Sequence, residues 1–182
     1  SYVESVWWSL KQIFDKGLLV QDYRVAPYCP RCGTALSDHE VSLGYLNVTD
    51  PSVYVRFPLT SGPLAGGAAL LVWTTTPWTL VINTAVAVHP DVTYVAVKLL
   101  EPDGENPVET LVVAEPLVAA VVGARAHETV GAFTGREMEG WTYQRPFELV
   151  DFDGESAHFV VLADYVTTED GTGLVHQAPA FG

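Results

Sequence analysis

Basic residues are scarce in this chain. Nine Lys and Arg stand against 22 Asp and Glu in 182 residues, a net charge of −13. A field of that sign repels polyphosphate and excludes general nucleic-acid binding driven by counterion release. It leaves room for contact with one end of a nucleic acid through a few local groups. Cysteine is nearly absent too: the two present cannot make a disulfide framework, and nothing argues for secretion. No apolar run approaches the roughly 20 residues of a membrane helix, and the start has no cationic-then-apolar leader. The expectation is a soluble, cytoplasmic protein with no membrane partner. Gly-x-Ser-x-Gly and His-Glu-x-x-His are also missing, so neither a nucleophile elbow nor that zinc-binding helix is encoded.

What is present reads as a globular chain, 48% hydrophobic and 17% charged, long enough for one domain with a small appendage. From Ser1 to Gly17 the apolar residues Val3, Trp7, Leu10 and Phe14 recur at helical spacing, Ile13 widens the stripe, and Gly17 is placed to stop the helix. Val-rich runs then predict strands at Val41–Leu46, Val53–Leu59, Ala69–Thr74, Ala85–His89, Tyr94–Leu100, Thr110–Ala114, Phe159–Ala163 and Gly173–His176. Ser61–Gly67 reads as a loop, Glu101–Pro107 as a hairpin connection, and Glu115–Val122 as a helix stopped by Gly123. The pattern predicts a mainly β fold with peripheral helices, barrel or sandwich. The division expected is 1–41 for the leading helix and cysteine knuckle, and 42–182 for the β body.

Three constellations can carry chemistry. Cys29 and Cys32, in Tyr28-Cys29-Pro30-Arg31-Cys32-Gly33, supply half of a tetrahedral zinc site. His39 lies within reach, and no second Cys-x-x-Cys follows. Plain structural cysteines remain an alternative, as does a redox pair, though the βαβ context of the latter is missing. In the second, Trp73-Thr74-Thr75-Thr76-Pro77-Trp78-Thr79-Leu80, a strand ends in three threonines before a helical turn. Thr76 suits the N-cap and Pro77 the first helical position. Hydroxyls gathered there can hold a ribose, a carbonyl oxygen or a water, or simply cap the turn. In the third, Glu169–Gly182, Gly171 and Gly173 permit a close backbone approach and a short strand that delivers His176. It lacks the Lys-Ser/Thr of a phosphate loop.

Together these segments resemble the editing insertion of isoleucyl-tRNA synthetases, the inserted β-barrel-like domain of class I aminoacyl-tRNA synthetases. WTTTPWTL and DGTGLVHQAPAFG carry the resemblance, supported by Tyr28–Val41, Asp50–Leu59, Gly135–Phe147 and Ala163–Val166. The Thr-Thr-Arg-Pro of valyl and leucyl enzymes is absent. Trp78 after the proline and His176 before Gln-Ala-Pro-Ala-Phe-Gly favour the isoleucyl type. The two signatures of the synthetic site, His-x-Gly-His and Lys-Met-Ser-Lys-Ser, are not in this sequence, so the segment itself is not expected to aminoacylate.

The resemblance implies hydrolysis of valyl-tRNA for isoleucine, and of valyl-adenylate, by water attack at the ester or anhydride carbonyl. It places Thr74, Thr75, Thr76 and His176 in the catalytic machinery, with His176 assigned to shaping and gating the valine pocket in preference to general-base catalysis. Trp73, Trp78, Thr79, Asn83, Gly171 and Gly173 become substrate-binding candidates. No cofactor is expected for editing. Zinc is expected at a half-site, Cys29 and Cys32, completed by a later cysteine pair. The family carries an aspartate about three residues after the Pro-Ala-Phe-Gly segment, so the domain is expected to be truncated at its C-terminal end. The tRNA 3′ end and the rest of the synthetase are the implied partners, with the fragment itself monomeric. Two other readings compete: a non-catalytic zinc-ribbon and β module that docks tRNA, and a hydrolase with a threonine nucleophile.

Overall fold

The computed structural model describes residues 1–22, 24–152 and 156–179, so Ala180–Gly182 of the last motif lie outside the described residues. The chain forms two compact units, Ser1–Val48 and Thr49–Gly182. In the first, helix α1 (Tyr2–Asp15) follows Ser1, and none of its residues is buried. Strands β1 (Tyr28–Cys29) and β2 (Thr34–Ala35) pair antiparallel around the cysteine turn. The strand expected at Val41–Leu46 is not there. Helix α2 (Asp38–Ser42) takes its first two residues, because Ser37 and Glu40 form a reciprocal capping box that outweighs the alternation of Val41, Leu43 and Tyr45.

The second unit is an eight-stranded sheet curled into a half-barrel. Its strands are β3 (Val53–Pro58), β4 (Ala69–Thr74), β5 (Ala85–Val88), β6 (Thr93–Leu100), β7 (Pro107–Ala114), β8 (His127–Thr134), β9 (Phe159–Leu162) and β10 (Leu174–Gln177). Along the sheet the order is β8-β6-β7-β4-β10-β5-β9, with β3 on β4. Strand β4 is the hub. Antiparallel β3 covers one edge from Ala69 to Thr74. Parallel β7 pairs with Ala69 and Leu70, and parallel β10 pairs Val175 with Trp73. The sheet therefore forks along β4, and the fork brings the ends of the threonine and histidine segments together.

Side chains alternate across the sheet. Leu70, Val72, Val112, Ala114, Tyr94 and Leu174 enter the main core with Phe57, Leu59 and Met138. Leu71, Leu111, Val113, Val95 and Val97 face a second core closed by Val122 of α3 (Val118–Val122). Burial on both faces is why β4 and the second half of β7, from Leu111 to Ala114, read as continuous apolar runs. The hairpin at 101–107 and the Gly123 stop, at φ +64°, form as expected. Strand β8 was not expected: an edge strand on β6, it is almost wholly exposed and carries His127 and Glu128 at its start.

Gly173 marks the fork. Its φ is +74°, and a Cβ there would lie 2.5 Å from that of Ala114. Only glycine lets the start of β10 pass so close to the end of β7. The crossing is tied by Ala114 N–H to Thr172 O at 2.9 Å and by Tyr94 O–H to Gly173 O at 2.8 Å.

Candidate active site at the β4 and β10 strand ends

Strand β4 delivers Thr74, and the chain then turns through Thr75 and Thr76 into a short 3₁₀ helix, Pro77–Ile82. Pro77 at the first position fixes φ for the turn. Thr76 occupies the N-cap position, but its side chain does not cap. Instead Thr76 N–H donates to Thr74 Oγ1 at 3.0 Å, and the two hydroxyl oxygens lie 3.2 Å apart. Thr75 is exposed. The cluster thus presents hydroxyls in graded burial at one strand end.

His176, 4% exposed, arrives on the neighbouring strand. Its Nε2 lies 2.9 Å from Thr79 Oγ1, and its Nδ1 lies 2.8 Å from Asn83 Nδ2. Two facts fix the proton. Thr79 Oγ1 spends its hydrogen on Thr76 O at 2.8 Å, so it accepts from Nε2–H. Asn83 Nδ2 can only donate, so Nδ1 must accept. The imidazole is therefore the neutral Nε2–H tautomer, and both nitrogens are engaged. The amide orientation follows from its other partners: Nδ2 also faces Ala85 O at 2.9 Å and Gln177 O at 3.4 Å, while Oδ1 receives Tyr143 O–H at 2.6 Å. A flipped amide would set its oxygen against two carbonyls.

Burial pushes the His176 pKa below the ordinary histidine value. Protonation would also bring Nδ1–H against the Asn83 NH₂. A histidine whose folded pKa is lowered contributes stability that is complete above about pH 6.5. That stability is lost as pH falls through the folded value. Thermal melts are expected to be flat from pH 8 to about 6.5 and then to fall before the carboxylates titrate, with the slope reduced in His176→Gln. His158, lowered first by burial and then by Arg145, adds in the same direction.

The sequence-level candidates separate as follows. Thr79, Asn83 and His176 form one network, and Thr74 and Thr76 form a second that joins it through Thr76 O. No Thr76–His176 pair exists among the described residues, so a threonine nucleophile activated by this histidine has no support. Trp78 is 70% exposed. Trp73 is half-buried against Gly171, where a Cβ would come within 2.7 Å of the indole. Gly171 and Gly173 thus have packing reasons for being glycine. Tyr143, missed in the sequence reading, is the buried donor that completes the network, and its sequence distance from Asn83 and His176 gave no signal. Clefts of about 610 and 310 Å³ lie elsewhere, beside Leu100 and Val108 and beside Arg56 and Arg125, and one of about 340 Å³ is lined by Tyr143, Arg145 and His158.

The cysteine turn forms as a knuckle. Cys32 N–H points at Cys29 Sγ at 3.4 Å and, as the largest cause, lowers the Cys29 pKa toward thiolate. The pair fits half a zinc site and no more. Among the described residues no group of three or more His, Cys, Asp or Glu converges on a metal position, so His39 does not complete one. Zinc is expected to bind this chain weakly in a chelator competition, and a tight stoichiometric site would show that further ligands exist.

A β4–β10 strand end bearing threonines and a locked histidine, on a forked half-barrel, has the fold of class I synthetase editing domains. It resembles the crystal structure of GlLeuRS-CP1, with a TM-score of 0.53 at 19% identity over 69% of this chain and 52% of that one. It also resembles the editing domain of the P. falciparum cytosolic leucyl-tRNA synthetase, with a TM-score of 0.50 at 10% identity over 60% and 40%. The chain belongs to the class I tRNA synthetases (I, L, M and V), whose family model matches residues 1–165. It is 74% identical to the isoleucine–tRNA ligases of Streptomyces coelicolor and Thermobifida fusca and 52% identical to that of Thermus thermophilus, each across the whole chain. It spans 16% of the first two and 17% of the third. Among the described residues no helix is long and apolar enough to cross a membrane.

Proposed function

We propose that this segment is the editing site of an isoleucine–tRNA ligase, hydrolysing valyl-tRNA for isoleucine and, as a second substrate, valyl-adenylate. The observation that carries the reading is the buried neutral His176, immobilised through both ring nitrogens beside the threonine cluster. An imidazole with no free lone pair is a wall, not a base. It suits a pocket that admits valine and excludes isoleucine by size.

The need for such a pocket is energetic. One methylene in an apolar site is worth only about 1–3 kcal/mol, a magnitude for which isoleucine–tRNA ligases are themselves the standing example. In the proposed reaction a water oxygen bonds to the ester carbonyl carbon and the bond to the ribose oxygen breaks. The products are valine and a tRNA with its terminal hydroxyl restored. Thr74, Thr75 and Thr76 supply hydroxyls to the carbonyl oxygen, the adenosine and the water. No acyl-enzyme forms. The tRNA 3′ end must approach a chain of net charge −13, so the basic surface that holds the tRNA body belongs to the rest of the ligase.

Thr76→Ala in the intact ligase is expected to slow release of valine from valyl-tRNA by about tenfold or more, the worth of one positioned donor, with isoleucine charging unchanged. An unchanged release rate would leave Thr76 a structural residue.

A further inference from the structure

Four donors in sequence link Tyr143 to the threonine segment. Tyr143 O–H donates to Asn83 Oδ1 at 2.6 Å, Asn83 Nδ2 to His176 Nδ1 at 2.8 Å, His176 Nε2–H to Thr79 Oγ1 at 2.9 Å, and Thr79 Oγ1 to Thr76 O at 2.8 Å. Each link has only one sense. Tyr143 carries the first hydrogen, and reversing any link would place two donors or two acceptors face to face. We propose that Tyr143 is a positioning residue for the editing pocket, holding the imidazole plane of His176 through Asn83. This rests on the editing reading above and adds to it the origin of the histidine's rigidity.

Where Tyr143 sits suits that role. It is 4% exposed, and its ring meets Phe57 edge-on at 5.1 Å. Its backbone is held by a bridge to Leu59 and by Tyr143 N–H to His158 O at 3.2 Å. The phenol is thus a fixed post anchored in the main core. Asn83 is fully buried and sits where the 3₁₀ helix ends, so its side chain has no solvent to fall back on. With the tyrosine oxygen removed, Asn83 Oδ1 is a buried acceptor without a donor, and the amide gains a reason to rotate away from Nδ1. The histidine then loses the partner that fixes its ring, while the hydrophobic core keeps its shape.

The test uses the intact ligase and kcat/KM for hydrolysis of preformed valyl- and isoleucyl-tRNA. Tyr143→Phe keeps the ring against Phe57 and removes only the oxygen. The valyl-to-isoleucyl ratio is expected to narrow by about fivefold, within the range of one lost buried hydrogen bond, with isoleucine charging intact. In an Asn83→Ala background the same change should have no further effect on the ratio, since the relay is already cut. Equal loss on both esters, or an undiminished effect of Tyr143→Phe in the Asn83→Ala background, would reduce Tyr143 to a packing residue and overturn the proposal alone. If the unmodified ligase hydrolyses neither ester, the editing reading falls and this inference falls with it.

Discussion

Replacing His176 by Ala is expected to cost the intact ligase its discrimination more than its rate. In the pocket proposed above the imidazole is the wall that the extra methylene of isoleucine would meet, and its two nitrogens are engaged with Thr79 and Asn83. Removing the ring frees more space than one methylene needs. The valyl-to-isoleucyl ratio in hydrolysis should fall about tenfold or more, the value of one methylene. Valyl ester release should fall less, because neither ring nitrogen is free to move a proton. Single-turnover deacylation of both esters measures this. Equal loss on the two substrates would return His176 to the role of a base. The variant also leaves the Asn83 and Thr79 polar groups partly unpaired, so a loss of stability of about 2–4 kcal/mol should accompany the change.

The second large effect falls on the fold. Gly173→Ala introduces a Cβ 2.5 Å from that of Ala114 at a residue with φ +74°. The left-handed backbone costs an alanine about 1–2 kcal/mol, and the collision adds overpacking of about 1–3 kcal/mol. Together these make a loss on the order of 2–5 kcal/mol, read by urea unfolding of this chain. The damage is local to the fork, so the position of His176 relative to Thr74 should suffer with it. A change within about 0.5 kcal/mol, as at an ordinary surface site, would mean that the two strands can separate there at no cost.

Much of the β body was legible because its strands obey simple rules. Strand β4 is buried on both faces and reads as an unbroken apolar run. Helix α3 announces itself through the Gly123 that stops it. The structure departs from the sequence pattern where a local signal is hidden by a stronger one. In α2 the Ser37–Glu40 capping box competed with an alternation that looked like a strand. In β8 most side chains face solvent, so no apolar period marks the pairing with β6. The site was legible in its residue types but not in its connections. Thr79 and His176 lie 97 residues apart, and nothing in their spacing says that parallel pairing of β4 with β10 brings them together. Tyr143 was invisible for the same reason: its partner is chosen by the fold.

The capping role foreseen for the Thr76 side chain shows how a correct position can carry a different function. Thr76 does begin the 3₁₀ helix. Its carbonyl receives the Thr79 hydroxyl and its N–H goes to Thr74, so the segment is pinned by its neighbours. Among the described residues its own hydroxyl meets that of Thr74. A hydroxyl freed from capping is available to a substrate.

The most direct measurement is single-turnover release of amino acid from preformed valyl-tRNA and isoleucyl-tRNA for isoleucine, by the intact ligase that carries this segment. Rapid release of valine and slow release of isoleucine are the expected result. Equal rates on the two esters, or no release from either, would contradict it.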